Sequence, residues 1–193
     1  MKKIIIITLF FLLYLTKMNS QNHYFGISVG YTTSSATAPD GNFLIGSDGL
    51  SQGQDFYDFK SGFQIGLQAN IDIGNDFYHL ELAPQFSQYG FGNQTKISLN
   101  YLDFDIGGSN FNSEVYSKFA FGGGITPSFL ISSENIEEIN DFDLKVYLKL
   151  GYRFSGRFVF YSQVRYSFLE LVPDSKVKNL QISFNLNYTI FKI

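Results

Sequence analysis

The chain has 193 residues, a net charge of −3 and a pI near 5.3, with 18% aromatic residues, 18 Gly, 4 Pro and no Cys. That length suits one domain, and the acidic balance offers no basic patch for nucleic acid. Without Cys there is no disulfide framework, no thiolate zinc site, no Cys nucleophile and no lipidated anchor.

The N-terminus reads as a targeting signal. Lys2 and Lys3 precede the apolar run Ile4 to Leu15, and the polar stretch Thr16 to Gln21 follows, with Ser20 as the small residue before a cut at Gln21. This order of charge, apolar core and small residue is that of a secretory signal peptide, residues 1–20. The run is short against the roughly 20 residues of a membrane-spanning helix. Residues 21–193 form the second unit, and no later apolar run is long enough for such a helix. A membrane location then requires a closed barrel.

Strict alternation marks the first strand, where Phe25, Ile27, Val29 and Tyr31 face away from Gly26, Ser28 and Gly30. The polar stretch Thr32 to Lys60 reads as a long loop. Gly62 to Ile73, GFQIGLQANIDI, is the clearest strand, with Phe63, Ile65, Leu67, Ala69, Ile71 and Ile73 on one face. At this composition such alternation has a chance of roughly 2 in 10,000 per window. After a short turn at Gly74 to Asp76, Tyr78, Leu80 and Leu82 alternate with His79, Glu81 and Ala83.

Gln88 to Lys96 reads as a loop, and Ile97 to Ile106 as a fourth strand. The phase of that strand changes near Tyr101 and Leu102, which suggests a β-bulge. Gly107 to Glu114 leads to a fifth strand, Val115 to Ile131, in which Gly122 to Gly124 mark a bend or close backbone approach. Ser132 to Asn140 links it to the sixth, where Phe142, Leu144, Val146, Leu148, Leu150, Tyr152 and Phe154 oppose Asp143, Lys145, Tyr147, Lys149, Gly151 and Arg153. Ser155 and Gly156 suffice before the seventh strand, Phe158 to Phe168, and Val172 to Lys178 precede the eighth, Leu180 to Ile190.

Eight strands near the length of about 9–11 residues that crosses an outer membrane, joined by alternately long and short connections, predict an all-β fold: an eight-stranded antiparallel up-and-down transmembrane β-barrel. Alternation alone does not say which face points in, so a soluble ligand-binding barrel is the rival reading. The polar faces favour the membrane barrel. They carry Glu81, Asp143, Lys145, Lys149, Arg153 and Arg165 among many Gln, Asn and Ser, while large Phe and Tyr at strand ends suit interfacial girdles.

At Lys60 to Gly90 the run KSGFQIGLQANIDIGNDFYHLELAPQFSQYG resembles the second and third strands of the PorT-like outer-membrane β-barrel family. LNYLDFDI at Leu99 to Ile106 and FGGGITPSFLI at Phe121 to Ile131 are similar to its fourth and fifth strands. The resemblance implies a barrel in the outer membrane and no enzyme, and it hints at an accessory role in envelope secretion or transport. The chain departs from the usual aromatic last residue of such barrels, finishing Phe191, Lys192, Ile193.

The inward residues define the candidate site. Glu81, Asp103 and Asp105 on strands three and four lie across the lumen from Lys145, Lys149, Arg153 and Arg165 on strands six and seven. An eight-stranded interior is filled by side chains, so these charges can meet as a network that plugs the lumen. The same charges could instead line a gated pathway. His79 and Glu81 share a face, with Ser87 further along, but no nucleophile adjoins the histidine, so a lipid-modifying enzyme is a distant alternative. His23, beside the cleavage site, is expected to be solvated.

Asp40, Asp48, Asp55 and Asp58 lack the spacing of a calcium loop, and Glu134, Glu137 and Glu138 read as solvated loop acids. Gly122 to Gly124 have no following helix or Lys to hold a phosphate. No metal or cofactor is expected. The implied partners are outer-membrane lipid, the barrel insertion machinery and an envelope protein or glycan meeting the loop Thr32 to Lys60.

Overall fold

The computed structural model describes residues 23–37, 59–73, 78–92, 96–110, 118–136, 138–173 and 177–192. The proposed signal peptide, most of the first loop, the short turn Gly74–Asp76, Glu137 and the acids Asp40 to Asp58 lie outside the described residues. Eight strands close on themselves in sequence order: β1 (Tyr24–Thr37), β2 (Lys60–Asp72), β3 (His79–Phe91), β4 (Ile97–Ser109), β5 (Phe119–Glu134), β6 (Phe142–Arg153), β7 (Phe158–Ser167) and β8 (Lys178–Lys192). Every neighbouring pair is antiparallel, and β1 pairs with β8 to complete the ring. Closure leaves no free edge, which is what a sheet in lipid requires.

The alternation sorts the residues as the sequence predicts. Leu67, Leu148 and Leu150 on the outside are 61%, 69% and 63% exposed, while Gln64, Gln68, Lys149 and Gln163 beside them on the opposite phase are buried. A soluble barrel would bury the leucines and expose the amides; here an apolar belt faces outward and the polar lumen inward, as in membrane barrels. Aromatic pairs ring the end where β1 starts and β8 ends. Phe25 stacks on Phe191 at 5.1 Å, Phe119 meets Tyr152 at 5.7 Å, and Phe158 meets Tyr188 at 4.9 Å. At the other end Phe63 meets Phe86, and Phe129 lies between Phe104 and Phe142.

Several strands outrun the sequence reading. β1 continues through Thr32 to Thr37, paired with β8 as far as Lys178, instead of entering the loop at Thr32. β3 runs through Gln88 to Phe91, and β5 through Ser132 to Glu134. At 14, 13 and 16 residues these strands exceed the about 9–11 that cross the bilayer. Their outer segments stand clear of the apolar layer, so nothing forces one face to be hydrophobic and the alternation fades. β5 also begins later than expected, at Phe119.

The bulge lies one strand away from its predicted place. β4 keeps its phase, with Ile97, Leu99, Tyr101, Asp103 and Asp105 all buried. The register slips between Asn100 and Tyr101, whose partners are Ser132 and Leu130, so Ile131 of β5 is the extra residue. What looks like a phase change in the sequence is a change in what the lumen holds, apolar toward the outer end and charged in the middle.

Candidate functional site

The charged layer is built around Asp105 of β4. Its carboxylate accepts from Thr126 Oγ1 at 2.6 Å, Gln163 Nε2 at 2.8 Å and Arg165 Nη2 at 3.1 Å, and Lys149 Nζ stands 3.0 Å away. Register explains the meeting. β5 sets Thr126 opposite Lys145, and β6 sets Lys149 opposite Gln163, so three successive strands aim donors at one acceptor. Arg165 extends the network to Gln181 Oε1 on the neighbouring β8 at 3.4 Å and to Gln64 Oε1 of β2 at 3.2 Å. All these side chains are buried, and each charge there requires a partner to offset the loss of water.

Two lysines hold the layer's two ends. Lys149 pairs with Glu81 as well as Asp105 and lies over the rings of Tyr147 and Tyr161, at 4.9 and 5.2 Å. Glu81 also accepts from Tyr147 Oη and Gln68 Nε2, each at 3.4 Å. Lys145 bonds Tyr89 Oη, reaches Asp103 at 3.3 Å and Asp143 at 3.9 Å, and lies 4.5 and 4.7 Å from the Tyr89 and Tyr101 ring centres. Those two rings stack at 5.0 Å, 6° from parallel. A cation over a desolvated aromatic face adds attraction of about 2 kcal/mol.

Glycines make room for this filling. A Cβ on Gly107 would lie 2.5 Å from Tyr147 Oη and 2.2 Å from the Gly123 carbonyl. The glycine-rich stretch of β5 thus marks close approach to β4.

Toward the outer end the lumen turns apolar. Tyr89, Phe91, Ile97, Leu99 and Tyr101 pack with Ala36, Leu171 and Val177, each at most 1% exposed, and Leu130, Ile136 and Ile139 close over them. The Leu171 amide donates to Val177 O at 2.7 Å, and the Asn140 amide to Leu171 O at 2.9 Å, which pins the β7–β8 connection across this mouth.

Of the residues singled out from the sequence, Glu81, Asp103, Asp105, Lys145, Lys149 and Arg165 come together. Arg153 does not. It ends β6, half-buried, and donates to Asn110 O at 3.2 Å. Four residues beyond Lys149, it sits roughly 13 Å nearer the end where β1 starts; alternation gives a residue's side of the sheet but not its height. Asp143 joins the network instead, holding Ser167 Oγ at 2.6 Å. Tyr147 and Tyr161 were visible on the polar phase, whereas Tyr89 and Tyr101 carried no such signal because their inward neighbours are apolar.

His23 is buried, at 8% exposure, where solvation was expected, because β1 starts at the next residue and draws it to the barrel. His79 packs edge-on against Tyr24 at 5.6 Å. Ser87 lies about 26 Å up the same strand at roughly 3.3 Å per residue, so it does not pair with His79.

No protein-family model matches this sequence, and no curated protein matches it. Among solved structures, the chain is similar to Neisserial surface protein A, with a TM-score of 0.51 and 14% identity over 86% of this chain and 97% of that one. It is similar also to Ail, the attachment invasion locus protein of Yersinia pestis, at 0.48 and 16% over 88% and 99%. The outer membrane protein OprG of Pseudomonas aeruginosa gives 0.41 and 14% over 88% and 93%. The first of these likenesses shows the fold, a small closed β-barrel of outer-membrane type.

Proposed function

We propose that the chain is a small outer-membrane β-barrel without enzymatic activity, exported through a signal peptide cleaved near Ser20 and Gln21. Its lumen is a filled core and its role is structural, or is carried by loops that meet a protein or glycan at the cell envelope. The observation that carries this reading is the inverted distribution of side chains: lipid-suited residues outside, a paired charge layer inside, and an apolar cluster over one mouth. A lumen so filled offers ions no continuous water path, and the one hydroxyl opposite His79, that of Ser109, is turned to Asn70 Oδ1 at 3.2 Å. The PorT-like resemblance of residues 60–90 supports the same location and leaves room for an accessory role in envelope secretion or transport.

The test is gel migration with and without boiling, on protein from purified outer-membrane fractions. A closed strand ladder resists detergent until heated, so a shift is expected in that fraction. Reconstituted in a planar bilayer, the protein is expected to show no conductance above leak. A protein found soluble in the periplasm without a heat shift overturns the location, and steady conductance overturns the filled lumen.

A further inference from the structure

The β3–β4 hairpin is joined unevenly to its neighbours. Every residue of β3, from His79 to Phe91, has a partner on β4. On the two flanks of the hairpin the ladders break at mid-height. The β2–β3 register skips Leu67 and Gln68 opposite Ala83 and Pro84, and the β4–β5 register skips Phe104 and Asp105 opposite Thr126 and Pro127. Proline has no N–H to give a ladder, and each gap falls at one. Pro84 is the partner of Phe104, so both gaps lie in one row across β3, β4 and β5. Bulges aside, the other described ladders run without such a gap.

Toward the outer end of that row the two flanks differ. β4 keeps six partners on β5, from Asp103–Ser128 to Ser98–Glu134, with the bulge at Ile131 among them. β3 keeps three on β2, at Gln85, Phe86 and Ser87, followed by the isolated Phe59–Phe91 bridge. Gln88, Tyr89 and Gly90 have no ladder partner on β2 among the described residues. Side chains hold them instead. Thr32 and Ser34 of β1 donate to Gln88 O and Gly90 O, and Lys145 of β6 bonds Tyr89 Oη while lying over the rings of Tyr89 and Tyr101. Lys149 grips the same hairpin on the inner side of the row, through Glu81 and Asp105.

We propose that the outer half of the β3–β4 hairpin is a lateral gate with Lys145 as its latch. It parts from residues 60–66 of β2, swings on the β4–β5 ladder and opens the lumen sideways to the bilayer. A bulge bends its strand and a gap removes ladder bonds, so β4–β5 flexes without coming apart. The latch is able to let go because Lys145 keeps Asp143 of its own strand at 3.9 Å, so its charge is not stranded. Both acids of Lys149 ride on the hairpin at the inner side of the row, which holds the inner half fixed.

The test exploits a sequence without cysteine. Ser87→Cys puts a thiol in the lumen at the parting seam, and Ser109→Cys puts one in the inner half of the same hairpin; both serines are fully buried. Each folded protein, in phospholipid vesicles, meets a membrane-soluble maleimide. Adding Lys145→Met is expected to speed labelling of Ser87→Cys about tenfold, the factor for one lost bond to a charged group, and to leave Ser109→Cys unchanged. If Lys145→Met does not fold, Ser34→Ala takes its place with a rise in the same direction. An unchanged rate at Ser87→Cys overturns the gate, and so does an equal rise at both thiols, which means that the whole barrel loosens. A charged maleimide confined to water enters through the mouth. If it gains as much as the membrane-soluble one, the apolar cap has lifted and the gate is again overturned. The proposal rests on the barrel reading, which the heat shift of each variant reports separately: a kept shift with no faster labelling sinks the gate and not the barrel.

Discussion

Lys145 and Lys149 stand four residues apart on β6, both inward, both buried and each between two tyrosines, yet their surroundings differ. Lys149 meets Glu81 and Asp105, and these carboxylates are held further by Gln68, Tyr147, Thr126, Gln163 and Arg165. Lys145 meets Asp103 at 3.3 Å and Asp143 only at 3.9 Å, under an apolar cap. Composition alone does not decide how well a buried charge is compensated. The number of strands that aim donors at it does, and the inner half of the lumen has more.

The largest effect is expected where one acid serves two bases. Asp105→Ala strips Arg165 and Lys149 of their shared partner, and breaking a buried ion pair costs about 3–5 kcal/mol. Urea unfolding in phospholipid vesicles, followed by the gel shift, checks this; a loss below about 1 kcal/mol would show the layer to be loosely hydrated. Lys149→Met, which leaves Glu81 only the neutral donors Gln68 and Tyr147, is expected to cost more than Lys145→Met, because Asp103 keeps a base, Arg165, within reach. Equal losses would erase the distinction between the halves.

A second expectation concerns the apolar cap. Leu99 is fully buried in it, so Leu99→Ala is expected to cost about 2–5 kcal/mol through lost transfer energy and a cavity. Leu148→Ala on the lipid face is expected to cost less, since lipid chains fill the space that the core cannot. Comparing the two midpoints tests whether the cap is packed like a protein interior.

How much of this was legible depended on the residue. Within the bilayer, lipid enforces one apolar face, so the phase of Phe63 to Ile73 or Phe142 to Tyr152 could be read position by position. Above the bilayer that constraint lapses, and Thr32 to Thr37, polar on both faces, looked like a loop while pairing with β8. The charged members of the lumen were legible because a Lys, Arg, Asp or Glu on the polar phase has only the lumen to enter. Their heights were not, which is why Arg153 fell outside the layer. Tyr89 and Tyr101 were hidden for a different reason: inward tyrosines among Phe91, Ile97 and Leu99 look like part of an apolar face until the strands are closed into a ring.

The smallest effect is expected at the outer end of β1, where side chains stand in for a strand. The Ser34 hydroxyl donates to Gly90 O at 2.6 Å and accepts from the Gly90 amide at 2.8 Å, while Thr32 Oγ1 donates to Gln88 O at 2.7 Å. These β3 groups lie beyond the last regular β2–β3 pair, Gln64 with Ser87, so hydroxyls from β1 satisfy what the ladder does not. Each such bond contributes about 0.5–1.5 kcal/mol net. Ser34→Ala is therefore expected to lower stability by about 1–2 kcal/mol, less than any break in the charge layer. Hydrogen exchange at the Gly90 amide separates the causes. Faster exchange confined to Gly90 and its neighbours means local fraying of β3, whereas faster exchange at Asp103 and Asp105 as well would mean that the seam and the charge layer unfold as one unit.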